Sequence, residues 1–205
     1  MSKEKVQMDP KYILTLTVTL FVTCLVVAGL LGGVNAITED RIAAITKEKT
    51  EAAMQKVVAD PEGSSFTDAM ELTEEMTAAA KSQGGTLTEA YGVEADGASA
   101  GCALKIEASG SQGIITMMVG VDAEGAVTGV SIVTNAETAG IGSKVMSNEL
   151  LSSGVGVLDQ FMGKSAADGT LNVGSNVDAI SGATVSTKGV TTGVNAALAV
   201  AGVMG

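Results

Sequence analysis

Two hydroxyl side chains, Ser181 and Thr184, stand in the run Asp178-Ala179-Ile180-Ser181-Gly182-Ala183-Thr184, which leads directly into an alanine- and valine-rich helical pattern. Gly182 and Ala183 leave the backbone open to close approach. A helix that begins here has unpaired amides and the positive end of its dipole at its start, which together suit an anion. The same residues also have a purely structural use. Ser181 or Thr184 can cap the helix, with Asp178 assisting, and bind nothing.

Little else in the chain offers side-chain chemistry. Its 205 residues include no histidine, no tryptophan and only five aromatic side chains. Ser-His-Asp and Cys-His nucleophile pairs, imidazole acid–base catalysis and His-ligated zinc are therefore excluded. The formal net charge of −11 repels phosphate backbones, and aromatic stacking platforms are lacking, which speaks against nucleic acid. Cys24 and Cys102 form no CxxC pair and read as small apolar residues. Gly163-Lys164-Ser165 resembles the end of a phosphate-binding loop, but the required earlier glycine is Leu158. Gly140-Ile141-Gly142 and Gly154-Val155-Gly156 begin dinucleotide fingerprints whose third glycines are Val145 and Asp159. Paired-carboxylate chemistry stays open by spacing, but nothing singles out a pair among 23 acids, so the expected source of reactivity is a bound group.

The elements that position these residues follow from pattern. From Tyr12 to Thr38 there is no charge, which exceeds the ~20 residues a helix needs to cross a bilayer. A signal peptide's apolar stretch is about 7–15 residues, so an uncleaved anchor fits better. Lys11 abuts the span, whereas Glu39 and Asp40 come first on the far side, which favours the N-terminus inside. Residues 39–60 read as a helix continuing from the span and ending at Asp60-Pro61-Glu62-Gly63. A second helical pattern after Ser65 carries Met70, Leu72, Met76 and Ala80 and stops at Gly84-Gly85. Strands follow at 86–94, 100–108, 114–121 and 126–134, the last two joined by the turn Asp122-Ala123-Glu124-Gly125. Residues 143–151 and 186–203 read as helices. The fold class is α+β: a single N-terminal transmembrane helix, then an extracytoplasmic domain with an antiparallel sheet and flanking helices. The division is 1–11 cytoplasmic tail, 12–37 span, 38–85 helical stalk and linker, and 86–205 domain.

The run from Asp178 to Thr184 is similar at every specified position to the flavinylation pattern Asp-x-x-Ser/Thr-Gly-Ala-Thr of the FMN-binding domain family. Glu137-Thr138-Ala139-Gly140-Ile141-Gly142 resembles that family's Glu-Thr-Pro-Gly-Leu-Gly motif, which lies near the flavin. Ala139 replaces the proline and removes a backbone constraint; Ile141 replaces the leucine at similar volume. Anchor, stalk, domain and motif order together resemble the G subunits of Rnf-type ion-translocating ferredoxin:NAD⁺ oxidoreductases. The chain also resembles the related C subunits of sodium-translocating NADH:quinone oxidoreductases, an alternative reading that their usually greater length disfavours.

The resemblance implies an electron carrier whose FMN is esterified through its phosphate to Thr184 by a flavin transferase that uses FAD. It would relay electrons between subunits of a complex that moves Na⁺ or H⁺, with no stand-alone catalysis. Partners would be the complex's membrane and cytoplasmic subunits, including another flavinylated membrane subunit. Asp178, Ser181, Gly182 and Ala183 would surround the phosphate, and Glu137, Thr138, Gly140 and Gly142 would lie at the flavin. Lys144 is a further candidate for the phosphate or the ring edge. Outside the span the aromatics are Phe66, Tyr91 and Phe161, so the ring is expected among aliphatic side chains and a partner's surface. A different reading is a membrane-anchored scaffold in which residues 178–184 merely cap a helix. A third is a regulatory FMN-binding membrane protein outside any respiratory complex.

Overall fold

The computed structural model describes residues 9–95 and 97–204. The first helix, α1, runs unbroken from Pro10 to Val57. Its apolar stretch has a mean hydropathy of 2.5 over 18 residues, and none of that window is buried within the chain. Thr15, Thr17, Thr19 and Thr23 each turn their hydroxyl back to the carbonyl four residues earlier. That removes the cost of an unpaired hydroxyl in an apolar surrounding. The chain divides into two compact units at Ile45 and Thr46.

The second unit is built on a five-stranded antiparallel sheet in the order β1-β2-β3-β4-β5. These strands are β1 (Ser64–Phe66), β2 (Thr86–Ala95), β3 (Ala98–Ser109), β4 (Ile114–Asp122) and β5 (Val127–Thr134). The helices are α2 (Glu74–Ser82), α3 (Gly142–Met146) and α4 (Thr184–Met204). Every strand read from the pattern is present. The β4–β5 turn closes as its composition dictates: Asp122 Oδ1 accepts from the amides of Glu124 and Ala126, and Gly125 takes φ +80°.

Alternation divides the sheet into two faces. Leu104, Ile106, Ile115, Met117 and Val119 join α4 in the main core. Ala103 and Met118, one residue out of phase, pack with Ala53, Met54 and Val57 at the end of α1. A register shift between Leu87 and Glu89 lets Leu87 and Ala90 share the α4 face, while Tyr91 and Val93 face the other cluster. Glycine permits the closest approaches. A Cβ on Gly189 would lie 2.6 Å from the Ser109 carbonyl oxygen, and one on Gly129 would lie 3.0 Å from Val57 Cα.

The structure departs from the sequence pattern in three places. Residues 64–66 pair with β2, and the following segment keeps alongside it through Thr67 N–H to Gly92 O and Met70 N–H to Ala90 O. The apolar spacing of Met70 and Leu72 suggests helix there, but α2 starts only at Glu74. Thr73 caps it by accepting from Met76 N at 3.2 Å. The helix expected over 143–151 stops at Met146, because Asn148 adopts φ +56° and its side chain accepts from Leu158 N at 2.7 Å. Residues 46–57, read as stalk, pack on the sheet as part of the second unit.

Candidate functional site

α4 begins at Thr184, two residues before the expected start, so the threonine that ends the 178–184 run is also the helix's first residue. It is exposed, as are Ser181 and Gly182. Gly182 takes φ +83°, a conformation that side chains disfavour, and nothing lies within 4 Å of where its Cβ would be. Ala183 is buried and anchors the turn through Ala183 N–H to Ile180 O at 2.9 Å.

Among the described residues, neither Ser181 nor Thr184 accepts a side-chain bond from the helix's first turn, so neither hydroxyl caps α4. The amides of Thr184, Val185 and Ser186 have no acceptor there either; the first paired one is Thr187, to Ala183 O at 2.9 Å. An exposed hydroxyl thus stands beside three free N–H donors at the positive end of a 21-residue helix. Lys188 is exposed one turn on, at the spacing that puts it on Thr184's side of the helix. This donor set suits a phosphate esterified at Thr184: free amides, a helix dipole and one nearby cation.

The run is held at its beginning by Gln160. Its Oε1 accepts from Asp178 N at 2.8 Å, and its Nε2 donates to Asp178 O at 3.0 Å and to Val157 O at 2.8 Å. Asp178 contributes its backbone to this clamp. Gln160 carries no pattern in the sequence that would have singled it out.

The 137–142 segment lies against the first turn of α4. Glu137 Oε1 accepts from the amides of Ser111 at 2.8 Å and Gln112 at 3.2 Å, in the β3–β4 turn. Its other oxygen, Oε2, accepts from the Ser186 hydroxyl. Ser186 is buried and lies two residues beyond Thr184. Glycines make this socket. A Cβ on Gly110 would run into Glu137 Oε1. One on Gly142 would run into Oε2 and lie 2.8 Å from Ser186 Oγ.

The two runs therefore meet through Ser186, a residue that no pattern in the sequence separates from the rest of the helix. Gly140, at φ +79°, has open space around it, and its amide is held by Ser143 Oγ at 2.8 Å. The Thr138 carbonyl accepts from Ile141 and Ser143, and its side chain is exposed. Ile141 and Val185, each adjoining the Gly142–Ser186 contact, are exposed aliphatic residues. Lys144 is engaged by Glu149 at 3.3 Å.

The three aromatics beyond α1 are committed elsewhere. Phe161 is fully buried, and Phe66 packs with the α1-side cluster. Tyr91 donates to Glu89 Oε2 at 2.6 Å. Burial, and then that carboxylate, push the Tyr91 phenol up to about 12. Burial works to raise Glu89, but hydrogen bonds from Lys105 and Tyr91 and the Lys105 charge outweigh it and leave its carboxyl below the usual value. The Cys102 thiol is pushed up to about 11 by burial, which keeps it unreactive.

Residues 110–199, which hold β4, β5, the Glu137 segment and α4 up to residue 199, match the family described as FMN-binding domain. The match begins at the glycine of the β3–β4 turn and includes both runs. Over almost its whole length the chain is also similar to the G subunit of the Na⁺-translocating ferredoxin:NAD⁺ oxidoreductase complex of Acetobacterium woodii. The two are 34% identical over 210 positions, covering 97% of this chain and 96% of the relative. The chain belongs to the family of Rnf G subunits and carries an FMN-binding domain.

Proposed function

We propose that this chain is the membrane-anchored flavoprotein subunit that relays electrons between other subunits of an Rnf-type complex, with FMN esterified through its phosphate to Thr184. The observation that carries the covalent reading is the exposed Thr184 hydroxyl beside three amides with no acceptor among the described residues, at the start of α4. A residue serving only as a helix cap would use that hydroxyl on the helix itself.

The attachment step balances with FAD as co-reactant. Thr184 Oγ attacks the phosphorus of the FMN half and a new P–O bond forms. The pyrophosphate P–O bond breaks, AMP leaves, and the hydroxyl proton passes to a base on the flavin transferase. FMN, once bound, supplies the electron-transfer chemistry that the side chains of this protein lack. The amides of residues 184–186 and Lys188 hold the phosphate. Gly140 and Gly182 leave backbone room, and Thr138 and Ser181 offer hydroxyls to the ring edge or phosphate. The exposed Ile141 and Val185 give the ring an aliphatic surface.

In this reading residues 1–11 lie in the cytoplasm, 12–37 span the membrane and the rest of the chain is extracytoplasmic. The coupled ion is Na⁺ or H⁺. Intact mass tests the reading. Full-length wild type produced with a flavin transferase gains the mass of one FMN residue and fluoresces in a denaturing gel, and Thr184→Ala does neither. Equal masses for the two chains defeat the covalent assignment. Co-purification of the other complex subunits with the tagged chain tests its place in the complex.

A further inference from the structure

Resting on the covalent reading, we infer that Glu137 is a positioning residue for Thr184: it holds the first turn of α4 through the Ser186 hydroxyl and does not touch the flavin. Its carboxylate is occupied from two separate elements. One oxygen takes two amides of the β3–β4 turn, at 2.8 and 3.2 Å, and the other takes the Ser186 hydroxyl. The glycines at 110 and 142 leave room for that carboxylate where any Cβ would collide with it. Ser186 is buried, whereas Thr184, two positions earlier, is exposed.

Residues two apart on a helix do not face the same way. Glu137 therefore grips the inner side of the turn whose outer side presents the acceptor. Together with the Gln160 clamp on Asp178, this fixes the Asp178–Thr184 run from both ends. Group transfer to a hydroxyl is sensitive to such placement, because an ångström of misalignment costs up to about a hundredfold in rate.

The bridge depends on geometry, and this separates it from a charge contact. A glutamine at 137 can accept both turn amides on its oxygen and donate its NH₂ to Ser186 Oγ, restoring the tie with one bond reversed. An alanine cannot. The experiment uses the full-length apo chain in detergent, with the flavin transferase and FAD, following FMN addition by intact mass over time at several chain concentrations.

Glu137→Ala and Ser186→Ala are expected to lower the maximal transfer rate about tenfold with an unchanged KM for the chain, and Glu137→Gln to stay within about twofold of wild type. Wild-type rates in both Glu137→Ala and Ser186→Ala overturn the inference. So does a Glu137→Gln as slow as Glu137→Ala, which would make the charge the active feature. If Glu137→Ala does not fold by its melting curve, Ser186→Ala, which removes one hydroxyl, decides alone. If wild type itself gains no FMN, the covalent reading falls and this inference with it, an outcome distinct from failure of the bridge alone.

Discussion

The 137–142 and 178–184 runs meet at one corner of the domain but use their polar groups in opposite ways. In the first, the carboxylate turns inward and its partners are protein groups: two amides and the Ser186 hydroxyl. In the second, the Thr184 hydroxyl turns outward, and the amides beside it have no acceptor among the described residues. A motif residue with satisfied partners builds the site, whereas one left unsatisfied at the surface is available for chemistry. Polarity and proximity alone do not distinguish the two.

The sharpest way to break this contrast is to remove the outward group. Thr184→Ala should abolish covalent FMN entirely, read by denaturing-gel fluorescence. Next comes Gly142→Ala, which puts a methyl into the Glu137–Ser186 contact. It should slow flavin addition several-fold and lower the melting temperature, because the pinned carboxylate has little room to move.

Gly189→Ala probes the same helix away from the attachment site. Its methyl would meet the Ser109 carbonyl at 2.6 Å, and it should cost about 1–3 kcal/mol in denaturant unfolding. Gly193→Ala should cost less, since its methyl meets the flexible Met117 side chain.

The smallest effect should come from the Glu89–Tyr91–Lys105 cluster, which belongs to neither run. Tyr91's folded pKa is raised to about 12 from 10, so its contribution is full below pH 10 and is lost as pH rises towards 12. Glu89's is lowered, so its contribution is present above the ordinary carboxylate range and is lost as pH falls through the folded value. Tyr91→Phe should flatten the alkaline loss in a melting-temperature profile and leave flavin addition unchanged.

Much of this was legible in the chain because it is local. Short runs bounded by glycines and small polar residues placed β2 to β5, and Asp122 and Gly125 marked the β4–β5 hairpin. An uncharged run marked the apolar part of α1. The pattern misleads where a distant partner overrides local spacing. Residues 64–70 follow β2 because its edge satisfies their backbone, although Met70 and Leu72 keep helical spacing. The 143–151 helix ends early because the Asn148 side chain finds Leu158, ten residues on.

By itself, then, the sequence determined the long uncharged stretch, the strand pattern, the hydroxyl-bearing run ending at Thr184 and the absence of histidine chemistry. Periodicity and residue type act over a few neighbours, so they can be read from a single chain. Only the tertiary structure decided that Glu137 faces inward, that Ser186 receives it, and that Gln160 clamps Asp178. Those contacts join residues 49 and 18 positions apart, and direction in space exists only once the sheet and α4 have packed.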